Sequence, residues 1–194
     1  MTTFFRNTGR SYTEVTINDQ GINTEEYLQA TEGLVKIFGL FGTAFTVVQK
    51  DMNGNIKKIH DRFLQNPIAN STLEKLVEGE LAEKKKTATE GLLWLNRGLD
   101  FTLQSLEHSA ANPDEELSVS FSKGYENTLR PHHGTFVRPV FSLAMKSCPY
   151  RSVFYGKLGE DQEMVKQDMS AYLGGLRRVV SGTQTFYAVK QVKL

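Results

Sequence analysis

The strongest pattern in the sequence is the stretch Glu90-Gly91-Leu92-Leu93-Trp94-Leu95-Asn96-Arg97-Gly98-Leu99-Asp100-Phe101. At 3.6 residues per turn, its leucines form one apolar stripe, while Trp94 and Phe101 lie nearly opposite that stripe. A helix that is apolar on two sides is either packed between two layers or offers one side to a ligand. Gly98 beside the indole costs a helix about 1 kcal/mol relative to alanine, which indicates that another group approaches closely. Two interpretations stay open: a second packed face, or an indole face stacked on the C–H surface of a sugar ring.

Helix signals follow one another along the rest of the chain, and no strand pattern of comparable strength occurs. The first predicted helix runs from an Asn23 cap toward Phe41, and others cover residues 46–64, 73–86, 87–109 and 160–180. Two more helices are predicted to begin at Pro113 and at Pro131, the second with a break at Pro139. Residues 1–22 show no apolar period and are predicted to form a loosely ordered arm, and residues 183–194 fit an extended tail better than a helix. We therefore predict one all-α domain over residues 23–194.

Composition excludes several classes of protein. The chain has 194 residues, with 23 Lys and Arg against 22 Asp and Glu, so no strong field favours nucleic acid. No apolar run reaches the roughly 18 residues of a membrane-spanning helix, and the first residues lack the apolar core of a signal peptide. The single cysteine, Cys148, excludes an intramolecular disulfide and a cysteine-based zinc site. These observations predict a soluble, cytoplasmic protein that does not bind nucleic acid.

A polar row is predicted on the helix over residues 46–64. Asp51, Asn55 and Lys58 fall in a narrow line about a quarter-turn from the apolar stripe of that helix. An EF-hand loop is excluded, because Ile56 stands where such a loop needs glycine. The row is either a solvated helix face with pairs worth about 0.2–0.5 kcal/mol each, or a binding surface for a polyhydroxyl compound. The second interpretation rests on chemistry, because carboxylate, amide and ammonium groups together complement sugar hydroxyls.

The third pattern is Arg130-Pro131-His132-His133-Gly134-Thr135-Phe136. On a helical wheel His133 shares a face with Val137 and Val140, so it is either a core histidine or an imidazole that donates an N–H to a ligand carbonyl. Neighbouring histidines on a helix point about 100° apart and make a poor metal site. Nucleophile elbows, phosphate loops and dinucleotide fingerprints do not occur in the sequence. We therefore predict no catalytic residue, no metal and no cofactor.

In this order and at this separation, the three segments resemble the glycolipid transfer protein family. The resemblance covers roughly residues 24–190 and includes His133-Gly134 followed by Pro149-Tyr150. It implies a two-layer all-α sandwich of about eight helices that encloses a hydrophobic lipid cavity. It also implies a non-enzymatic, monomeric carrier that moves sphingolipids with sugar headgroups between membranes through the cytosol, with transient membrane contact.

The resemblance also implies roles for individual residues. Asp51, Asn55 and Lys58 match the row that holds the sugar headgroup, and Trp94 matches the platform under the first sugar. Asp51 would also accept the ceramide amide N–H, and His133 would donate to the ceramide carbonyl. The side chains implied to line the cavity for the lipid chains are Phe38, Phe45, Phe141, Met145 and Phe154.

Other functions remain as alternatives. The family also contains ceramide-1-phosphate carriers, but a phosphate favours Arg or Lys where this chain has Asn55 and Trp94. Arg97 stands one turn from the platform position. An all-α interaction module would use Trp94 and His133 only as core residues. A lipid-modifying enzyme could use Asp51 and His133 as an acid/base pair, but the sequence shows no accompanying nucleophile. The membrane-docking residues are left open, because Thr135 stands where many members have an aromatic residue.

Overall fold

The computed structural model describes residues 2–192, and nearly all of its regular structure is helical. Its helices are α1 (Thr24–Val35), α2 (Thr46–Gln65), α3 (Leu73–Ala82), α4 (Thr87–Ala111), α5 (Leu117–Asn127), α6 (Val137–Lys146), α7 (Arg151–Leu158) and α8 (Gln162–Lys190). A two-residue hairpin, β1 (Ile17–Asn18) with β2 (Gly21–Ile22), is antiparallel. Within the described residues the predicted all-α class with eight helices is therefore confirmed. None of the described helices is long and apolar enough to cross a membrane.

Helix α4 connects the parts of the fold, because it packs against α2, α3, α5 and α8. Its leucine stripe is fully buried at Leu92, Leu95 and Leu99. Phe101 on the other side is fully buried as well, so the second apolar side is a packed face at that turn. Trp94 is only partly buried. At the turn that carries Trp94, the side of α4 with the indole is therefore less buried than the side with the leucines.

A buried carboxylate fixes the start of α4. Glu80 at the end of α3 accepts hydrogen bonds from the backbone N–H groups of Ala88 (2.9 Å) and Thr89 (2.6 Å), and from the Thr89 hydroxyl (2.7 Å). The first N–H groups of a helix have no partner within it, and a negative charge there also complements the helix dipole. Lys86, which precedes the helix, gives no side-chain cap. Glu80 therefore holds the end of α4 that carries Trp94.

The helix starts predicted at Pro113 and Pro131 are wrong, and both predictions rested on the proline itself. Pro113 lies in a turn, and α5 begins only at Leu117. An Asn-Pro-Asp sequence suits a tight turn as well as a helix start. Pro131 opens no more than a short 3-10 turn, after which α6 begins at Val137. Pro139 does not break α6, because in the first turn of a helix the missing N–H has no partner to lose.

The predicted extended tail is also wrong over residues 183–190, which continue α8. Thr183 and Tyr187 bury one face of this last stretch, and the Tyr187 hydroxyl donates to the Thr89 backbone carbonyl at 2.7 Å. Burial against α4 therefore decides the conformation, which the weak local periodicity did not reveal. Residues 193 and 194 of the predicted tail and domain lie outside the described residues.

The prediction of a loosely ordered arm is wrong for residues 2–22. Phe5, Tyr12 and Val15 are buried, and the arm packs along α8. Asp168 on α8 accepts hydrogen bonds from Thr3 Oγ1 (2.6 Å) and Arg6 Nε (2.7 Å). The sequence shows no period here because short 3-10 turns bury single residues rather than a repeating face. The arm and the helices therefore form one packed unit.

Candidate functional site

Hydrogen bonds link the polar row on α2. Lys58 Nζ donates to Asn55 Oδ1 at 3.0 Å, and Asn55 Nδ2 donates to Asp51 Oδ2 at 3.5 Å. Asn55 is only 4% exposed, whereas Asp51 and Lys58 are exposed. The interpretation of the row as a plain solvated face is therefore wrong for Asn55. A buried amide with charged neighbours on both sides is a polar group that the protein holds in place.

Two glycines bring α4 close to this row. A Cβ atom at Gly91 would lie 3.1 Å from Cβ and Cδ of Lys58, and one at Gly98 would lie 3.5 Å from Cγ of Met52. A side chain at Gly91 would therefore require Lys58 to shift by a few tenths of an ångström, whereas a Cβ atom at Gly98 would make ordinary van der Waals contact. Trp94 lies between the two glycines on α4, three residues after one and four before the other. The indole consequently stands at the edge of the α2–α4 contact.

The structure brings Trp94 and His133 together. Their rings stack with centroids 5.8 Å apart and an interplanar angle of 21°. His133 is not helical, because its backbone is extended between the 3-10 turn and α6. The predicted helical face shared by His133, Val137 and Val140 is therefore wrong. His133 nevertheless is only 9% exposed, so the segment turns it inward rather than toward solvent.

Several contacts hold the His133 ring in position. Its centroid lies 4.4 Å from that of Phe141, and its Nδ1 lies 3.2 Å from the Tyr125 hydroxyl. Arg138 Nε donates to the His133 backbone carbonyl at 2.8 Å. Burial lowers the pKa of His133, and the charges of His132, Arg138 and Arg97 lower it further. The imidazole is therefore neutral near neutral pH.

The Tyr125 hydroxyl can fix the tautomer of His133 by donating to its Nδ1. Burial raises the pKa of Tyr125, so the phenol keeps its proton and can donate it to His133 Nδ1. In that arrangement the proton of the imidazole sits on Nε2, which is then a hydrogen-bond donor.

Asp51 differs from His133, because it is an anionic acceptor rather than a neutral donor. Removal of part of its hydration raises the pKa of Asp51, and the positive charge of Lys58 offsets part of this rise. Asp51 is therefore an accessible anionic acceptor whose charge is imperfectly solvated, which favours a ligand that donates hydrogen bonds.

Sequence reasoning missed the role of Arg97 at this site. Its guanidinium carbon lies over the Trp94 ring, 4.6 Å from the centroid. Burial lowers the pKa of Arg97, which shows that the cation is partly desolvated. The sequence placed Arg97 one turn away from the indole, but residues three apart on a helix are neighbours. That spacing, together with the known attraction of guanidinium for indole, was the available signal.

The five side chains predicted to line a lipid cavity are all buried. Three of them, Phe38, Phe45 and Phe154, belong to a group of rings that we call the aromatic cluster. The cluster consists of Phe38, Phe41, Phe45, Phe101, Phe121 and Phe154. Phe141 lies beside His133 and Tyr125, and Met145 is buried on the same helix.

The aromatic cluster is closely packed. Phe41 lies 4.6 Å from Phe45, 4.8 Å from Phe121 and 4.7 Å from Phe154, measured between ring centroids. These are distances of direct ring contact, so the rings pack against one another in the region that the resemblance assigns to the lipid cavity. A groove of about 840 Å³ lies elsewhere, between α4, α7 and α8, and contains none of the predicted site residues.

An apolar patch is exposed beside the site. Phe136 and Leu143 are 94% and 67% exposed, and Val140 between them and Tyr150 beyond α6 are exposed as well. The patch begins three residues after His133. The sequence left the membrane-docking residues open because Thr135 stands where many members have an aromatic residue, and the exposed ring of this segment is the next one, Phe136. A contiguous exposed apolar surface of this kind is typical of an interaction with protein or membrane.

Comparison with known proteins places the chain in a family. The sequence model of the family described as "Glycolipid transfer protein (GLTP)" matches residues 22–160. A glycolipid transfer protein of Aureobasidium melanogenum is 48% identical over 192 residues, which are 98% of this chain and 96% of that protein. The pleckstrin homology domain-containing family A member 8 of Homo sapiens is 33% identical over an alignment of 202 positions, which covers 96% of this chain but only 39% of that protein.

Solved structures share the fold. HET-C2, a fungal glycolipid transfer protein, has a TM-score of 0.94 at 41% identity, with 99% of this chain and 100% of that chain covered. A structure reported to show how FAPP2 selects simple glycosphingolipids has a TM-score of 0.90 at 31% identity, with 99% and 98% covered. Mouse ceramide-1-phosphate transfer protein shares the fold alone, with a TM-score of 0.87 at 21% identity and 98% of each chain covered. This chain belongs to the glycolipid transfer protein family.

Proposed function

We propose that this protein takes up a sphingolipid with a sugar headgroup from one membrane and delivers it, chemically unchanged, to another. The observations that support the proposal are the hydrogen-bonded row Asp51, Asn55 and Lys58 on α2, the contact of Lys58 with Gly91 one turn before Trp94, and the stacking of Trp94 on His133. The family to which the chain belongs supports the same activity. The site has directional groups for a headgroup and, behind them, an apolar interior for the chains.

The polar row suits a sugar because each hydroxyl both donates and accepts. Asp51 accepts hydrogen bonds, Lys58 donates them, and Asn55 does both. The flat face of Trp94 offers a platform for the C–H surface of the ring. An unmatched buried donor or acceptor costs about 1–3 kcal/mol, so a lipid without a sugar leaves this row unsatisfied. Selection of the headgroup follows from that cost.

The ceramide amide has two partners at the same site. In this proposal Asp51 accepts the amide N–H, and His133 Nε2 donates to the amide carbonyl. Tyr125 supports this role, because its hydroxyl at 3.2 Å from Nδ1 favours the tautomer with the proton on Nε2. Burial of His133 favours the neutral imidazole, which in this tautomer donates through Nε2.

The lipid chains are proposed to enter the aromatic cluster and its surroundings. The side chains that would contact them are Phe38, Phe45, Phe141, Met145 and Phe154. Each CH₂ contributes about 0.8 kcal/mol whether it is buried in a bilayer or in protein, so transfer of the chains is nearly neutral. The chains therefore supply little selectivity, and the headgroup contacts decide which lipid is carried.

A ceramide-1-phosphate is the second candidate ligand, and Arg97 is the observation that favours it. Its guanidinium lies over Trp94, where a phosphate would meet a charge-assisted donor. Against this candidate stand the neutral amide of Asn55 and the nearby carboxylate of Asp51, which repels an anion. We therefore place the sugar-bearing lipid first.

Membrane contact is proposed to occur through the exposed patch of Phe136, Val140 and Leu143. An apolar face with Lys146 on the same helix suits the interface of a bilayer. The formal charge of +1 lets the protein leave an anionic membrane again. We expect Leu143→Ser to slow transfer between vesicles severalfold while leaving the binding of a dispersed short-chain glycolipid unchanged. A cytoplasmic location and a monomeric state complete the proposal.

The function is tested by incubation with vesicles of a total lipid extract, followed by native mass spectrometry of the reisolated protein. We expect one unchanged glycosphingolipid per chain. An interaction module would retain no sphingolipid, and a lipid-modifying enzyme would release an altered one. A transfer assay with glucosylceramide, galactosylceramide, lactosylceramide and ceramide-1-phosphate then distinguishes the two candidate ligands, and faster transfer of the phosphate would overturn the ranking.

A further inference from the structure

The indole face that the proposed function gives to a sugar is already covered. Arg97 lies over the Trp94 ring at 4.6 Å, and His133 stacks on the same indole at 5.8 Å. A sugar that stacks on Trp94 must therefore displace a side chain. The structure indicates which one, because the two neighbours of the indole are held very differently.

His133 is fixed, and Arg97 is not. Tyr125, Phe141 and the hydrogen bond from Arg138 hold His133 in place. For the Arg97 guanidinium, by contrast, residues 2–192 supply no hydrogen bond and no ion pair, although burial removes part of its hydration. A partly desolvated cation without a hydrogen-bond acceptor gains from moving to one.

Acceptors lie in a pocket that Arg97 itself lines. The pocket has a volume of about 240 Å³ and lies between α4, the end of α5 and α8. Asp100 and Asn96 are also in its wall. The Asp100 carboxylate accepts from Gln104 Nε2 at 2.9 Å and from Gln184 Nε2 at 3.2 Å, which leaves lone pairs for a further donor.

Asn96 supplies the second acceptor. Its side chain is only 4% exposed, and its Nδ2 donates to the Val180 carbonyl at 3.4 Å. Its Oδ1 is buried without a hydrogen-bond partner among the described residues. Buried acceptors of this kind are normally satisfied, so this oxygen is an available acceptor for a donor that enters the pocket.

We propose that Arg97 is a positioning residue that exchanges places with the sugar. In the unloaded protein its guanidinium covers Trp94. When a sugar stacks on the indole, the guanidinium moves into the pocket and donates to Asp100 and Asn96. The spacing allows this, because residues 97 and 100 are neighbours on one face of α4. The inference rests on the proposed function, and it explains the covered indole and the unmet Asn96 oxygen with one movement.

A double-mutant cycle on glucosylceramide binding tests the exchange. Asp100→Asn removes the charged acceptor and is expected to weaken binding about fivefold or more. In an Arg97→Met background the same change is expected to have no effect, because no guanidinium needs the pocket. In the Asp100→Asn background, Arg97→Met is expected to tighten binding about 5- to 30-fold, because only the competing cation–π contact is lost.

Two results of the cycle would overturn the exchange. One is an equal effect of Asp100→Asn in both backgrounds, which would show that Arg97 and Asp100 are not coupled. The other is weaker binding by Arg97→Met in the Asp100→Asn background, which would show that Arg97 contacts the headgroup itself.

Fluorescence provides a test that needs no lipid, because Trp94 is the only tryptophan. Arg97→Met is expected to increase quenching of the unloaded protein by acrylamide, whereas the control Arg177→Met, in which the lost arginine pairs with Glu107, leaves quenching unchanged. Equal quenching of the wild type and Arg97→Met would show that Arg97 does not cover the indole.

The failure of the proposed function and the failure of the exchange can be told apart. A wild-type protein that binds no glycolipid would overturn the proposed function. Glycolipid binding without coupling between Arg97 and Asp100 would overturn only the exchange.

Discussion

Helix α4 carries one member of the polar site, Trp94, and one member of the aromatic cluster, Phe101, but the two regions are held together by different forces. At the polar site each contact has a direction, as in the bonds from Lys58 to Asn55 and from Asn55 to Asp51. In the aromatic cluster the rings touch at centroid distances of 4.6 to 6.4 Å through dispersion and burial, which are not directional. A displaced ring loses many small contacts and gains others, whereas an unpaired donor or acceptor loses its one partner. We therefore propose that the polar site selects the lipid and that the cluster accommodates its chains.

The common helix makes the two regions work as one. Trp94 and Phe101 are separated by two turns of α4, about 10 Å along its axis. Glu80 anchors the start of this helix through three hydrogen bonds. A headgroup bound beside Trp94 is therefore held at a fixed distance from the rings that its chains are proposed to contact.

Removal of the anionic acceptor at the polar site should have the largest effect. Asp51→Val is expected to lower glycolipid uptake by about 100-fold or more, because it removes hydrogen bonds to the sugar and to the amide, each worth about 1.5–3 kcal/mol for a charged group. The fold should remain intact, since the raised pKa of Asp51 shows that its ionised form is not favoured by folding. Vesicle transfer and a thermal melt measure the two effects. Normal transfer by a folded Asp51→Val protein would place the headgroup elsewhere.

Removal of the indole should have the next largest effect. Trp94→Ala is expected to lower glycolipid affinity about 10- to 100-fold, because the sugar loses its stacking surface. It also leaves His133 without its stacked neighbour, so we expect a stability loss of about 1–3 kcal/mol. Trp94→Phe is the matched control and should retain most of both properties. A Trp94→Ala protein that is simply unfolded at 25 °C would favour the interpretation of the indole as a core residue.

The sequence predicts some contacts of the polar site and does not reveal others. Spacing alone places Asp51, Asn55 and Lys58 in one row, because all three lie on a long regular helix. The contact between Trp94 and His133 is not visible from spacing, because His133 lies in an extended segment that tertiary packing orients. Arg97 was visible as a neighbour of Trp94 three residues away. Its position over the ring was missed because its charge was considered only for phosphate.

For the fold as well, local sequence patterns predict only part of what the structure shows. Helices α2 and α4 follow from long apolar periods, whereas α5 and the last turns of α8 depend on what they pack against. The arm over residues 2–22 shows no period and yet is buried at Phe5 and Tyr12. The closing of the aromatic cluster likewise depends on contacts between distant residues. Local patterns predict the elements of this molecule, but not how fully its interior is filled.

A change of pH should affect the polar site and leave the cluster untouched. Asp51 takes up a proton as the pH falls through its raised pKa, and the neutral acid is a poorer acceptor. The lowered pKa of His133 delays protonation of the imidazole in the same titration. Glycolipid binding should therefore fall as the pH drops from neutral through the raised pKa of Asp51, and the fall should begin at a higher pH than an ordinary aspartate would give. The Asp51→Asn protein should bind weakly with no such decline, and an equal decline in both would assign the titration to another group.

The smallest effect on headgroup choice should come from the aromatic cluster itself, where Phe154 packs 4.7 Å from Phe41. Phe154→Leu is expected to cost about 1.5 kcal/mol of stability or less and to shift the preferred acyl-chain length, because it reshapes the space that the chains enter. The ratio of glucosylceramide to lactosylceramide transfer should change less than about twofold, since no polar group is moved. Phe5→Leu is the matched control, because that buried ring packs on Tyr172, away from the cluster, and should lower stability without altering chain-length preference. A change in sugar preference with Phe154→Leu, measured with lipids of one chain length, would show that the interior also selects the headgroup, and the division between the two regions would fail.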